Sequence, residues 1–173
     1  SWGLAVETAL GGYGSGAMRI RAAHEAARIA RDLGWRDHRR AFGHFLIGRA
    51  IQDSDPTEAE AHFRSALTFL GSGPDTAGHR ALVQSRLASF ALRQGKLKEA
   101  DRLIAQALPA ATAGQNAALM STLLVLKAHL AEARGQKRAA SSLRSESLGW
   151  ALYGNGVEAT VKTRLREVAA ARP

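Results

Sequence analysis

The six histidines are the side chains best suited to bind a metal ion or to exchange a proton near neutral pH. They are His24, His38, His44, His62, His79 and His129. No two of them are three or four residues apart, which is the spacing that places two ligands on one helix face. The chain also has no cysteine, so thiolate zinc ligands and a thiol nucleophile are excluded. The spacing predicts no metal, and a site assembled across helices is the minor alternative.

A glycine-rich run over residues 11–17 is the segment that could cradle a phosphate group. Gly12, Gly14 and Gly16 leave backbone amides accessible, and such amides can bind phosphate at a helix start. A dinucleotide-binding fingerprint has to follow a strand, whereas residues 4–10 are predicted to be helical. No Gly-Lys-Ser/Thr sequence follows the run. We therefore interpret the run as a connection between helices and expect no cofactor.

The sequence offers no arrangement for nucleophilic catalysis, which needs a serine beside a base. It has no Gly-x-Ser-x-Gly elbow, the motif that exposes such a serine at a sharp turn. The serines within residues 141–147 lie in a helical segment rich in basic residues. Glu58 and Glu60 are two residues apart, so they point in different directions on a helix. No catalytic residue is predicted, and we expect a binding protein rather than an enzyme.

Helices must position any binding residues, because the composition favours them. Alanine, leucine and arginine are abundant and proline occurs only four times, which is typical of helices. Apolar residues recur at three- and four-residue spacing over 76–94, 97–109 and 116–134. This periodicity predicts an all-α protein of about eight helices paired by short loops. The helix over 116–134 is predicted to be the most buried.

Capping signals indicate where several of these helices begin and end. Asp55-Pro56 is typical of a helix start, since proline fits the first helical position. Gly95 and Gly135 follow long helical segments, where a left-handed residue is needed. Residues 71–75 and 112–114 are predicted to be loops.

Small residues recur along the chain at a fixed interval. Ala59, Ala100 and Ala140 are 41 and 40 residues apart, and small residues let two packed helices approach to about 8–10 Å. Residues 94–109 contain a glycine turn, then Glu-Ala, then Ala-Leu. In this order they resemble the second half of a tetratricopeptide repeat. The usual period of that family is about 34 residues, so this chain resembles a long-period variant.

The resemblance implies an all-α fold of stacked antiparallel helical hairpins over residues 1–173. Residues 1–34 are predicted to form a degenerate N-terminal hairpin and residues 36–153 three repeats. Residues 157–171 are predicted to form a C-terminal capping helix that packs through an apolar side. An ordinary helical bundle with alanine-rich seams is the alternative.

The resemblance also implies a concave groove lined by the first helix of each hairpin. Carried over residue by residue, the groove positions are His44, Gly48, Ile51, Gln52, Ser85, Ser89, Leu92, Arg93, Val125, His129, Glu132 and Ala133. The predicted partner contacts are the polar ones: His44, Gln52, Ser85, Ser89, Arg93, His129 and Glu132. Such a mixed surface suits an extended peptide or a partner's helix.

Trp150 and Tyr153 lie just before the turn that precedes the capping helix. Trp and Tyr are enriched among the residues that dominate protein interfaces. They are expected either to pack beneath the capping helix or to anchor a partner, and the sequence leaves both interpretations open.

The net charge of +9 is concentrated at the two ends of the chain. Residues 1–52 carry +4, residues 134–173 carry +5, and the middle is balanced. A basic excess favours acidic partners. We expect a protein or peptide partner, bound by an adaptor or sensor, with nucleic acid or another anionic surface as the alternative. No apolar run approaches the ~20 residues of a membrane span, and a chain without cysteine suits reducing and oxidising compartments alike.

Overall fold

The computed structural model describes residues 1–11, 15–154 and 158–170. Over these residues the chain forms nine α-helices, one 3-10 turn at Pro74–Thr76 and no strand. The helices are α1 Trp2–Leu10, α2 Gly16–Asp32, α3 His38–Ile51, α4 Pro56–Leu70, α5 Ala77–Arg93, α6 Leu97–Ala113, α7 Ala117–Ala133, α8 Lys137–Tyr153 and α9 Glu158–Ala170. The all-α prediction is confirmed, with nine helices described where about eight were expected.

The chain divides into two compact units, residues 1–83 and 84–173, and the boundary falls within α5. In the first unit α1 packs on α2, α2 on α3 and α3 on α4. In the second unit α6 packs on α7, α7 on α8 and α8 on α9. Because only a few residues separate these packed neighbours along the chain, each such pair is antiparallel. The predicted fold of consecutive helical hairpins with a C-terminal helix is confirmed.

The helices from α5 to α8 follow a regular period. Each has 17 residues, and three-residue turns separate them. A helix and its turn thus occupy 20 residues and a hairpin 40, which explains the interval between Ala100 and Ala140. Ala59, Ala100 and Ala140 are each the fourth residue of their helix, and all three are buried.

The predicted caps are found in the structure. Gly95 and Gly135 have φ of 70° and 75°, the left-handed conformation expected after a helix. Pro56 is the first residue of α4, and the Asp55 carboxylate accepts a 2.9 Å hydrogen bond from the Glu58 N–H. The turn between α6 and α7 uses a non-glycine residue at the equivalent place, since Gln115 has φ 48°.

Helix α6 is longer than predicted, because it continues through Pro109 to Ala113. Proline cannot donate a backbone hydrogen bond to the carbonyl four residues earlier. That carbonyl belongs to Ala105, and both Ala105 and Pro109 are exposed, so water can satisfy it. Residues 112 and 113, predicted to be loop, are therefore helical, and Gly114 ends the helix.

The core of the first unit forms around α3. Phe63 of α4 and Leu46 of α3 are fully buried. Gly43 and Gly48 let the neighbouring helices approach α3 closely. A Cβ at Gly43 would lie 2.9 Å from Ala27 Cα on α2, and one at Gly48 would lie 3.1 Å from the Ala59 carbonyl oxygen on α4.

The core of the second unit forms around α7. Eleven of its 17 residues are buried, more than in any other helix described, which confirms the prediction for this segment. Ala128 of α7 and Ala140 of α8 share one buried cluster. Ser121 of α7 and Ser147 of α8 are buried farther along the same two helices, and the Ser147 hydroxyl donates a 2.8 Å hydrogen bond to the Ser121 carbonyl.

Helix α9 covers most of the predicted capping segment, although positions 157 and 171 lie outside the described residues. The apolar side predicted to pack inward includes Leu165, which is 50% exposed, so apolar packing is not the whole attachment of α9. The predicted loop glycines at positions 12 and 14 also lie outside the described residues. None of the described helices is both long and apolar enough to cross a membrane.

Candidate functional site

The residues predicted for a groove lie in differing surroundings on α5. Ser85 is 2% exposed, so it cannot contact a partner without rearrangement of the helix. Ser89 is half-buried and Arg93 is exposed. The Arg93 guanidinium lies 4.3 Å from the centre of the Phe90 ring, a cation–π contact that orients it.

On α3 the predicted groove positions face neighbouring helices. Gly48 is buried against Phe63 and Ala59 of α4, and Ile51 is 6% exposed. Gln52 is half-buried and ends the helix. His44 is half-buried and contacts His62 of α4, so this residue belongs to a different surface, described below.

On α7 the predicted positions His129 and Glu132 take part in a polar network that holds α9. Arg144 of α8 has an 8% exposed side chain and forms ion pairs with Glu132 and Glu167. The Glu167 carboxylate lies 3.2 Å from His129 Nε2. Burial alone would raise the pKa of Glu167, but hydrogen bonds and charges from His129 and Arg144 outweigh it, and the pKa lies below its ordinary value.

The same network extends to Arg164 of α9, whose Nε donates a 3.0 Å hydrogen bond to the Ser121 hydroxyl. Burial lowers the pKa of Arg164, and Glu167 partly opposes this effect. The polar residues between α7, α8 and α9 therefore attach the C-terminal helix. His129 and Glu132 already have partners within the chain.

An aromatic depression on the second unit is the first place that could receive a ligand. We define it by its described lining residues, Gln115, Glu146, Gly149, Trp150 and Tyr153. Its volume is about 480 Å³. The Trp150 and Tyr153 rings meet edge to face, with centres 5.9 Å apart.

Four of these lining positions lie on α8 at three- and four-residue spacing, so the depression follows one face of that helix. Tyr153 is 78% exposed and its neighbour Leu152 is 58% exposed. A Cβ at Gly149 would meet no atom within 4 Å, which leaves the depression wide at its middle. Of the two interpretations left open for these aromatics, the exposure of Tyr153 favours a contact with a partner.

An arginine–histidine cleft on the first unit is the second such place. The described side chains that define it are His24, Arg28, Arg31, Arg40, His44 and His62. Ala27 and Ile47 complete its lining, and its volume is about 330 Å³. It lies between α2 and α4, with α3 as its floor.

The glycines of α3 position this cleft. Gly43 contacts α2 and Gly48 contacts α4, while Arg40, His44 and Ile47 recur along the strip of helix surface between those two contacts. The close approach of α2 and α4 then brings His62 to His44, with their Nδ1 atoms 3.0 Å apart.

Both imidazoles of this pair are held neutral at pH 7. Burial lowers the pKa of His44 to about 4, and the charges of His62 and Arg40 add to the effect. Burial also lowers the pKa of His62, although Glu58 opposes it. The His44 ring stacks on Phe69 with ring centres 5.4 Å apart, which fixes its orientation.

Sequence reasoning missed the cleft, although a signal for it was present. His24, Arg28 and Arg31 recur at one-turn spacing on α2, and Arg40 and His44 do so on α3. The spacing of histidines within one helix does not reveal the cleft, because His44 and His62 meet across helices. Within the described residues, no group of three or more His, Asp or Glu side chains is placed to hold a metal ion.

No protein-family model and no curated protein sequence matches this chain.

Proposed function

We propose that this protein is an interaction module that binds another protein through a peptide or a helix. The observation that carries the proposal is the aromatic depression, where Tyr153 is 78% exposed beside a cavity of about 480 Å³. Trp and Tyr are enriched among interface hot spots, and here the exposed Tyr153 lies against the half-buried Trp150. The 40-residue hairpin period supports the resemblance to tetratricopeptide-like repeats, which commonly bind peptides. Arg93, Ser89 and Gln52 remain candidate groove contacts.

Ion pairing within the chain weighs against nucleic acid as the partner. At least six arginines form ion pairs with acidic side chains: Arg28, Arg31, Arg39, Arg64, Arg134 and Arg144. Such pairing holds these guanidiniums against acidic side chains, whereas binding along a phosphate backbone is strengthened by a continuous stripe of basic groups. The aromatic depression also carries Glu146, which would repel a phosphate backbone.

The test compares variants of the depression in pull-downs from the native cell extract at low and high salt, with quantitative mass spectrometry of the eluates. Tyr153→Ala removes the exposed ring. Gly149→Gln adds a side chain at the depression, at a position where a Cβ would meet no atom within 4 Å. Hot-spot substitutions cost about 2 kcal/mol or more, so retention of the partner should fall about thirtyfold. Leu33→Ala is the matched control, since Leu33 is 59% exposed on the other unit.

A discrete protein that survives high salt, is lost with both depression variants and is retained by Leu33→Ala would support the proposal. Nucleic acid that is released as salt rises, with no retained protein, would favour the alternative of a basic surface, because counterion release makes such binding strongly salt-dependent. A retained protein that is insensitive to both variants would place the binding site elsewhere.

A further inference from the structure

The arginine–histidine cleft has no role in the protein-binding site proposed above, and its composition sets it apart. Its described lining holds three guanidiniums and three imidazoles, with no carboxylate among the lining side chains. Its volume of about 330 Å³ lies in the range of small-molecule sites, about 300–1,000 Å³. Such a cavity is suited to a small anion.

Neighbouring groups orient the guanidiniums of the cleft. Arg28 is held by Glu25 at 2.7 Å and by Asp32 at 2.9 Å. Arg40 lies over the Phe69 ring, 4.5 Å from its centre. Because stacking uses the face of a guanidinium, the N–H donors in its plane stay directed outward from the ring. The cleft therefore has oriented cationic donors on two helices.

The imidazole pair supplies further donors that depend on its protonation. The Nδ1 atoms of His44 and His62 are 3.0 Å apart, so one ring donates to the other. Glu58 lies 3.8 Å from His62 Nε2, which favours a proton on that nitrogen, so that His44 donates through Nδ1 and its own Nε2 is bare. One additional proton on the pair gives both Nε2 atoms a hydrogen and makes the pair a cation.

We propose that this cleft binds a phosphomonoester and that binding is coupled to the uptake of a proton by the His44–His62 pair. A phosphoryl group presents three terminal oxygens in a tetrahedral arrangement, which can accept from donors on α2, α3 and α4 together. A carboxylate presents two oxygens in one plane and would leave donors of one helix unused. The protonated imidazole pair is repelled by the arginines of the cleft but attracted by a bound anion. Binding of the anion therefore favours protonation of the pair.

The charged groups that face the pair come from all three helices of the cleft. The titratable His24 and the charged Glu25, Arg28, Arg31 and Asp32 come from α2, Arg40 comes from α3 and Glu58 from α4. Arg40 and His24 disfavour protonation of the pair in the free protein, whereas Glu58 favours it. A bound dianion would offset the positive charges at Arg40 and His24 and so make protonation of the pair more favourable. The affinity for the dianion should therefore increase as the pH falls.

The experiment is isothermal titration calorimetry of the full chain at constant ionic strength with inorganic phosphate, glycerol 3-phosphate and sulfate. Sulfate keeps its charge between about pH 5.5 and pH 8, so a pH dependence of its affinity reports protonation of the protein. All three anions should bind, and the sulfate affinity should be several-fold higher at the lower pH. The double variant Arg31→Gln/Arg40→Gln should lose about tenfold in affinity.

His44→Gln keeps a hydrogen-bonding side chain but cannot titrate, so it should still bind sulfate while the pH dependence of the affinity becomes smaller. An unchanged pH dependence would overturn the coupling to the His44–His62 pair. Arg21→Gln is the matched control, because Arg21 is an exposed arginine of α2 outside the cleft lining. Circular dichroism and urea unfolding establish that each variant is folded. Equal loss of affinity in Arg21→Gln and in the cleft variant would overturn the proposal, as would the absence of binding by folded wild-type protein at millimolar phosphate.

Vesicles that contain phosphatidic acid distinguish the two sources of a phosphomonoester. Vesicle binding that is competed by glycerol 3-phosphate and lost in the cleft variant would identify a lipid headgroup. Binding of glycerol 3-phosphate without vesicle binding would identify a soluble phosphorylated molecule. Both results support the site, whereas vesicle binding that the cleft variant retains would contradict it. These readouts use none of the residues of the aromatic depression.

Discussion

His44 is a buried titratable residue whose environment predicts a pH dependence of stability. Its pKa is about 4 in the folded chain, against about 6.5 when unfolded. Between these values the unfolded chain binds a proton that the folded chain does not, so acidification favours unfolding. The urea midpoint should therefore fall as the pH drops from about 6.5 towards 4. His44→Gln should reduce this slope, and an unchanged slope would contradict the packing described for His44.

Gln115 is the one non-glycine with positive φ in the described residues, at 48°. The left-handed conformation costs an ordinary residue about 1–2 kcal/mol, and a glycine avoids this cost. Glycine also loses more conformational entropy on folding, which costs about 0.5–1 kcal/mol. Gln115→Gly should therefore raise the free energy of unfolding by about 0.5 kcal/mol. Gly95→Ala at the equivalent turn should lower it. Urea unfolding of both variants tests the pair, and the same sign for both would refute this reading of the turns.

Some of these residue-level features could be predicted from the sequence and others could not. The caps at Pro56, Gly95 and Gly135 were predictable, because each depends on backbone conformation within a few residues. The contact between His44 and His62 was not, since it depends on how closely α3 and α4 pack. Gln115 was not singled out either, because glutamine carries no sequence signal for a left-handed conformation.

At the level of helices, α3 depends on Gly43 for its contact with α2. A Cβ there would lie 2.9 Å from Ala27 Cα, a backbone atom that cannot move alone. Gly43→Ala should destabilise the protein by about 1–3 kcal/mol through overpacking, despite the better helix propensity of alanine. Gly149→Ala is the control, because its Cβ would meet open space, and it should stabilise the protein by about 0.5–1 kcal/mol. Thermal unfolding of both variants measures the difference.

Gly48 occupies a position that the family pattern, carried over residue by residue, assigns to its neighbour. In the tetratricopeptide pattern a second small residue lies twelve positions before the alanine of the Glu-Ala pair, and for Ala59 that position is Ile47. The structure uses Gly48 for the close contact with Ala59 and Phe63, because the connection from α3 to α4 differs from the three-residue turns that follow. The groove positions carried over onto α3 depend on that count. The helices themselves were predictable from the periodicity of apolar residues. Which neighbouring helix each residue contacts could be seen only once the helices were packed together.

At the level of the whole molecule, the 40-residue period predicts that one hairpin length can be removed. Deletion of residues 95–134 joins Gln94 to Gly135 and restores a three-residue turn between α5 and α8. In the shortened chain Ala88 lies as many residues before Ala140 as Ala128 does in the intact chain, so a small residue again faces Ala140. Because repeat arrays are held by neighbouring contacts, the shortened chain should be helical and unfold cooperatively.

Deletion of residues 95–114 is the control for this prediction. It also preserves a three-residue turn but removes only α6, so that α5 is followed directly by α7. The order of first and second helices in successive hairpins is then lost. Circular dichroism and urea unfolding should show a non-cooperative transition for this shorter deletion. Equal cooperativity of the two deletions would indicate an ordinary bundle, in which the hairpin is not the unit of the fold.

The architecture of the molecule was the level that the sequence predicted best. The recurrence of Ala59, Ala100 and Ala140 fixes the period of the hairpins, and a period survives even where single residues are misassigned. The cleft and the depression depend on side chains from several helices, and no local pattern contains that information. The attachment of α9 through Glu167 and Arg144 belongs to the same class, since the two residues are brought together only by packing.

The placement of the three tryptophans makes the chain its own optical reporter. Trp2 and Trp35 meet edge to face in the first unit, with ring centres 5.7 Å apart, whereas Trp150 belongs to the second unit. A chain with phenylalanine at positions 2 and 35 would emit from the second unit alone. A chain with phenylalanine at position 150 would emit from the first. The unfolding of each unit can thus be followed separately by intrinsic fluorescence, without an attached dye.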